Sequence, residues 1–257
     1  MQSQRNTIKI KVVLASLALL SFYGIQNIEV KADTVKTKVE NIDLPKPYAT
    51  KSSMKFSKVI GWSKGKTPIA PEGFTVTKFA DNFINPRNIY IAPNQDIFIS
   101  EANTEVSGIM RLGANIVGAS KSDRLDKSAN RIILLRDSNN DGVPDKRTIF
   151  ITGLNQPYGM LVLKNYFYVA NTDGVVRYPY KSGDTIIKGK GQKILSLPKA
   201  GRHWVRNIVA NKNGSKIYIA VGSSSNVAED GFDKEIRRAN ILEINPDGSG
   251  EKIYASG

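Results

Sequence analysis

The sequence contains no cysteine, and that absence removes disulfide bridges, thiolate zinc sites, cysteine nucleophiles and lipid attachment through cysteine. Histidine is almost as scarce. His203 is the only one, so any imidazole chemistry has a single address. No Gly-x-Ser-x-Gly elbow of a Ser-His-Asp hydrolase occurs. The stretch Asn245-Pro-Asp-Gly248-Ser-Gly250 lacks the Lys-Ser/Thr and the helix that a phosphate loop opens, and it reads as a hairpin turn. Acidic residues are the minority, 23 against 37 Lys and Arg, for a net charge of +14. The lysines are scattered through turns and strand edges and form no dense run with interleaved aromatics. Nucleic acid is therefore not an expected partner, whereas an anionic ligand suits the basic surface.

Long apolar runs are missing from the body of the chain. The one near the start, residues 12–23, is shorter than the roughly 20 residues of a spanning helix. Arg5, Lys9 and Lys11 precede it, and Val30 and Ala32 stand where small residues favour signal-peptidase cleavage. The expectation is a signal peptide over 1–32, a mature chain beginning near Asp33, no stable membrane span after its removal, and export to the periplasm or the outside. Residues 33–71, rich in Lys, Pro, Ser and Thr, read as an extended lead-in.

What is present is a globular balance, 40% hydrophobic and 23% charged residues, arranged for strands. From Phe74 onward, where regular structure is expected to start, runs of four to seven residues rich in Ile, Val, Tyr and Phe alternate with Gly, Asn, Asp and Pro turns. Pro86-Arg-Asn-Ile-Tyr-Ile-Ala, Pro157-Tyr-Gly-Met-Leu-Val-Leu and Val205-Arg-Asn-Ile-Val-Ala-Asn open three units. Second strands follow at Ile97-Phe-Ile-Ser, Phe167-Tyr-Val-Ala and Ile217-Tyr-Ile-Ala. Third strands are expected near Gly108-Ile-Met-Arg, Gly174-Val-Val-Arg and Ala239-Asn-Ile-Leu. Outer strands are expected at Thr148-Ile-Phe-Ile, Lys193-Ile-Leu-Ser and Lys252-Ile-Tyr-Ala. Four strands per repeat, at a spacing of about 50 residues, is the arithmetic of propeller blades. A sandwich does not require the same inner-strand motif to return at that interval. The expected fold is all-β, an incomplete β-propeller of four-stranded blades occupying 72–257, with an insertion at 114–130 on a rim.

Two stretches carry chemistry. His203 precedes the inner-strand motif Trp204-Val-Arg206-Asn207, which places it near the mouth of the central channel, and Arg202 and Arg206 beside it would attract an anion. Asp137-Ser-Asn139-Asn-Asp141-Gly142-Val-Pro-Asp145 sets oxygen ligands at alternate positions before a glycine turn, as calcium loops do, but has Thr148 where an EF-hand has its bidentate Glu. A calcium site built from Asp137, Asn139, Asp141 and Asp145 and a plain polar turn between Leu135 and Ile149 are both compatible with this pattern.

The run Gly201-Arg-His203-Trp-Val-Arg206-Asn207-Ile resembles the sorbosone/glucose dehydrogenase family. So do Lys216-Ile-Tyr-Ile-Ala-Val-Gly222-Ser, Arg238-Ala-Asn-Ile-Leu-Glu-Ile-Asn-Pro-Asp-Gly-Ser-Gly250, Gly153-Leu-Asn-Gln-Pro-Tyr-Gly-Met and Tyr168-Val-Ala-Asn-Thr-Asp-Gly-Val-Val-Arg-Tyr-Pro-Tyr180. The similarity is collinear from about Pro71 onward. It implies part of a six-bladed propeller that binds pyrroloquinoline quinone with calcium and oxidises a sugar. It also implies His203 as the base and Arg206 and Asn207 near the cofactor. The chain departs from the family by Arg202 where an acid precedes the histidine, and by Gly222-Ser223-Ser224 where an aspartate follows the next strand. Three to four blades make only an arc. The expectations are therefore a quinone-dependent sugar dehydrogenase, an arc completed by other copies in a homo-oligomer, or a non-catalytic or shortened product that binds carbohydrate or protein.

Overall fold

The computed structural model describes residues 58, 60–63, 65–105, 127–198, 203–226 and 231–256. The expected signal peptide, most of the lead-in, Arg202 and the strand expected near Gly108 lie outside the described residues.

Twelve strands form three four-stranded antiparallel sheets, each a simple meander. The first sheet holds β1 (Pro86–Ile91), β2 (Ile97–Glu101), β3 (Arg131–Arg136) and β4 (Lys146–Ile151). In the second are β5 (Gly159–Leu163), β6 (Tyr166–Asn171), β7 (Gly174–Pro179) and β8 (Gln192–Ser196). The third comprises β9 (Arg206–Ala210), β10 (Ile217–Val221), β11 (Asn240–Ile244) and β12 (Lys252–Ser256). Among the described residues there is no α-helix, only one turn of 3-10 helix at Phe232–Glu235. The fold is that of a partial propeller. The repeat extends to detail: in every sheet the register slips by one residue in the third strand against the fourth, at Ile132/Ile133, Val175/Val176 and Ile241/Leu242. A bulge at the same place in each blade raises the local twist where the sheet turns outward.

Alternation along the strands explains why the sheets stack. Phe98, Ile132, Leu134 and Phe150 of the first sheet face Met160, Phe167 and Val169 of the second. Phe98, Phe150 and Phe167 meet with ring centroids 4.7–4.8 Å apart, tilted or edge-on. Each such ring, fully buried, contributes roughly 1.5–3 kcal/mol of burial. The opposite face of the second sheet, with Leu161, Tyr168 and Val175, packs on Ile208, Ile219, Leu242 and Ile244 of the third.

Two expectations are corrected. Regular structure begins at Pro86, not at Phe74. The preceding segment instead lays Phe79, Ala80 and Phe83 over Ile99, Ile133 and Leu135 on the outer face of the first sheet. The third strand of the first blade is Arg131–Arg136, because its apolar run pairs residue for residue with β2, from Ile97 opposite Leu135 to Glu101 opposite Arg131. The long insertion therefore separates β2 from β3.

Candidate functional site

The inner strands bring the heads of the three sheets together. Asn88 of β1 donates from Nδ2 to the Tyr158 carbonyl just before β5, 3.2 Å. Gln156 Nε2 donates to the Asn103 carbonyl, 2.8 Å. Trp204, just before β9, donates from Nε1 to Thr104 Oγ1 at 3.1 Å and lies under the guanidinium of Arg87, 5.5 Å from ring centroid to charge. These bonds link residues up to 100 positions apart and fix the position of the neighbouring His203.

His203 is half-buried. Its Nδ1 stands 3.0 Å from Ser223 Oγ and 3.2 Å from the Ser223 carbonyl oxygen. A carbonyl can only accept, and the Ser223 hydroxyl donates its own proton to the Ser225 carbonyl at 2.6 Å. Both partners of Nδ1 are therefore acceptors, and the network assigns the ring proton to Nδ1, leaving the lone pair on Nε2. Gly222 makes the approach of this turn feasible, because a Cβ there would stand 2.9 Å from the Cβ of His203. Ser223 is thus the residue that orients the histidine, in the turn where the sequence departs from the dehydrogenase family it resembles.

Arg206 is completely buried at the start of β9. Its Nη1 donates to the carbonyls of His203, 2.8 Å, and Val205, 3.0 Å, while Nε and Nη2 have no hydrogen-bond partner. Burial, with the Arg238 guanidinium nearby, pushes Arg206 down to about 10, which still leaves it charged at neutral pH. A buried cation with donors unmade is costly in isolation and suits an anionic group. Asn207 goes the other way: β9 alternates, so Asn207 is on the exposed face, where its Oδ1 accepts from the Ile208 backbone N–H at 2.9 Å. The structure brings His203 and Arg206 together and leaves Asn207 on the opposite side of the strand.

The family model described as "Domain of unknown function (DUF7133)" matches residues 116–257, the region that carries this histidine and both flanking sheets. The chain belongs to that family. No curated protein matches the sequence. Among solved structures, this DUF7133 chain is similar to a Trichoderma reesei carbohydrate-active enzyme of family AA12. In its iodide form the identity is 11%, the TM-score 0.52, and the match covers 76% of the chain and 42% of the enzyme. The calcium form of that enzyme matches at 12% identity and a TM-score of 0.53, over 71% of the chain and 40% of the enzyme. The holo PQQ domain of pyranose dehydrogenase from Coprinopsis cinerea matches at 12% identity and a TM-score of 0.50, over 68% of the chain and 39% of that domain. At these identities the likeness is one of fold, and the chain spans about two fifths of the length of these structures.

The acidic loop of the DUF7133 chain lies in a different blade, between β3 and β4. Its oxygens serve the turn itself. Asp137 accepts from the backbone N–H groups of Asp141, 3.2 Å, and Gly142, 2.9 Å; Asp145 accepts from Ser138 N, 2.5 Å; Asp141 accepts from Val143 N, 2.8 Å. Asn139 Oδ1 accepts from Asp141 N at 3.1 Å. Among the described residues no three His, Cys, Asp or Glu side chains converge as a metal cage. No helix of the described residues is long and apolar enough to cross a membrane.

Proposed function

We propose that the chain is an exported dehydrogenase-like protein that oxidises the anomeric or aldehyde carbon of a sugar, with His203 as general base and an anionic quinone cofactor held beside Arg206. The observation that carries this reading is the Nδ1-protonated His203 beside a buried guanidinium with two donors unmade. Nε2 takes the proton of a substrate hydroxyl, and the Ser223 carbonyl and hydroxyl steady the imidazolium that results. When bound, pyrroloquinoline quinone supplies the two-electron centre that receives the hydride. Its carboxylates suit the free Nε and Nη2 of Arg206. Asn207, the other residue expected near the cofactor, lies on the opposite face of β9 from Arg206 and has no part in this reading. The likeness of fold to an AA12 enzyme and to a pyranose dehydrogenase PQQ domain supports the reading.

Calcium enters the proposal as a clip on the loop of Asp137, Asn139, Asp141 and Asp145, on donor chemistry alone. An ion there has to displace the backbone donors that these oxygens now accept. Titration of pyrroloquinoline quinone into the purified chain, with and without calcium and with His203→Ala, tests the whole. Saturable binding, with aldose-dependent dye reduction that the substitution abolishes, is the expected result, and a folded chain that binds no quinone sinks it.

One observation favours a second reading. Val209, Ile241 and Tyr254 are exposed on the outer face of the third sheet, with Tyr218 stacked edge-on against Tyr254 at 4.8 Å. An apolar sheet face of this kind is suited to covering by another sheet. It supports a non-catalytic propeller module that binds a protein partner or a second copy of the chain.

A further inference from the structure

The head of the third sheet carries more unmade hydrogen bonds than any packing role requires. β9, β10 and β11 align Arg206, Val221 and Asn240 in one row across the sheet. Arg238 lies two residues before Asn240 and is nine-tenths buried, and Ser225 follows β10 and is fully buried. Within this group Arg206 Nε and Nη2, Arg238 Nη1, Ser225 Oγ and Asn240 Oδ1 all lack partners. Ser225, Arg238 and Asn240 line one cavity of about 510 Å³, on which Phe232, Ile236 and Ile253 form an apolar wall.

The charges do not cancel. Glu235 lines the same cavity, but its oxygens accept from Ser224, from the backbone N–H at 2.9 and 3.1 Å and from Oγ at 2.7 Å, and from neither guanidinium. Arg237 is already paired with Glu251. That leaves two buried cations, Arg206 and Arg238, against one carboxylate, Glu235, which feels the charge of Arg238. An excess of buried positive charge is unstable, so the arrangement suits an anion.

The donors also specify the shape of that anion. In the cavity the unmade donors are Arg238 Nη1 and Ser225 Oγ, an N–H and an O–H that suit the two oxygens of a carboxylate; the free Nε and Nη2 edge belongs to Arg206, which does not line the cavity. We infer that Arg238 and Ser225, with the buried charge of Arg206 near Arg238, form a binding seat for the carboxylate of a small organic acid. The inference goes beyond the dehydrogenase reading and does not depend on it: the carboxylate is that of the quinone or of a separate metabolite, and in either case Arg238 and Ser225 are the new parts of the site.

The test is a titration of oxalate into the full chain in low-chloride buffer at constant ionic strength, read by calorimetry and by the melting temperature. Oxalate is expected to bind saturably and raise the melting temperature. Arg238→Met should weaken binding at least tenfold and, with no anion present, raise the melting temperature by removing a like charge beside Arg206. Arg237→Gln should leave binding unchanged. Quinone that displaces oxalate makes the cofactor the source of the carboxylate, and quinone that binds alongside it makes a separate acid the source; both support the seat. Oxalate binding without any quinone binding also supports it and sinks only the dehydrogenase reading. A folded chain that ignores oxalate, or one whose binding survives Arg238→Met, overturns the inference.

Discussion

Gly159 at the start of β5 lies so close to Ile208 of β9 that a Cβ on it would stand 2.8 Å from both the backbone N and Cγ2 of Ile208, and 2.9 Å from the carbonyl oxygen of Arg206. The inner strands of the second and third blades meet there backbone to backbone. Gly159→Ala is therefore expected to force the two sheets apart at the strand that carries Arg206. The expected loss is about 1–3 kcal/mol of stability, measured by urea unfolding, and the larger Gly159→Val should lose more.

A second expectation concerns Asp96, fully buried in the turn between β1 and β2, and held by Arg136 of β3 through Nε at 2.5 Å and Nη2 at 2.7 Å. Arg136 also donates to the Gly183 carbonyl, tying the first blade to the second. Arg136→Met leaves a buried carboxylate without its counter-charge and should cost about 3–5 kcal/mol. The double substitution with Asp96→Asn should recover part of that loss in denaturant titrations.

Acid should loosen the loop that borders the carboxylate seat. The hydrogen bonds that Ser224 gives to Glu235, from its side chain and its backbone, hold that carboxyl below its ordinary value of 4.5. A carboxyl with a lowered folded value contributes stability above its unfolded value and loses it as the pH falls through the folded one. The melting temperature of the native chain should fall from about pH 5 downward. In Glu235→Gln that component should be missing, which a comparison of the two melting curves across pH 3–7 reads directly.

Ser223→Ala separates orientation from cofactor binding. The Nδ1 proton of His203 keeps the Ser223 carbonyl as acceptor and loses the hydroxyl. If His203 is the base, turnover should drop about tenfold, as the loss of one hydrogen bond implies, with quinone affinity unchanged. Single-turnover kinetics beside a binding titration check both halves.

Calcium should raise the melting temperature if the β3–β4 loop is its site, by an amount that grows with concentration as mass action requires. Asp141→Asn combined with Asp145→Asn should remove that rise. The expectation fails if calcium leaves the native chain's melting temperature where chelator leaves it.

Much of the architecture was legible beforehand because its causes are local. Alternation in Ile97-Phe-Ile-Ser and Ile217-Tyr-Ile-Ala, with turn residues at regular intervals, specifies short strands and their order, and eleven of the twelve strands lie on stretches that the repeat marks out. The third strand of the first blade is Arg131–Arg136 and not the expected stretch near Gly108. Only pairing with β2 selects Arg131–Arg136. The site was legible in part: His203 and Arg206 are marked by the inner-strand motif, and their contact follows from it. Ser223, Ser225 and Arg238 carry no such mark, since serines in a turn and an arginine before a strand are ordinary in sequence.

The sequence by itself determined the strands, the turns between them, the recurrence of the blade and the single histidine, because each depends on residues within a few positions of one another. The tertiary structure alone decided which faces meet, that Gly159 admits β9, that Asn207 turns away from Arg206, and that two arginines separated along the chain share a buried place with too little negative charge. Those outcomes depend on how sheets dock and how strands register, and burial then turns an ordinary arginine into a group that requires a partner.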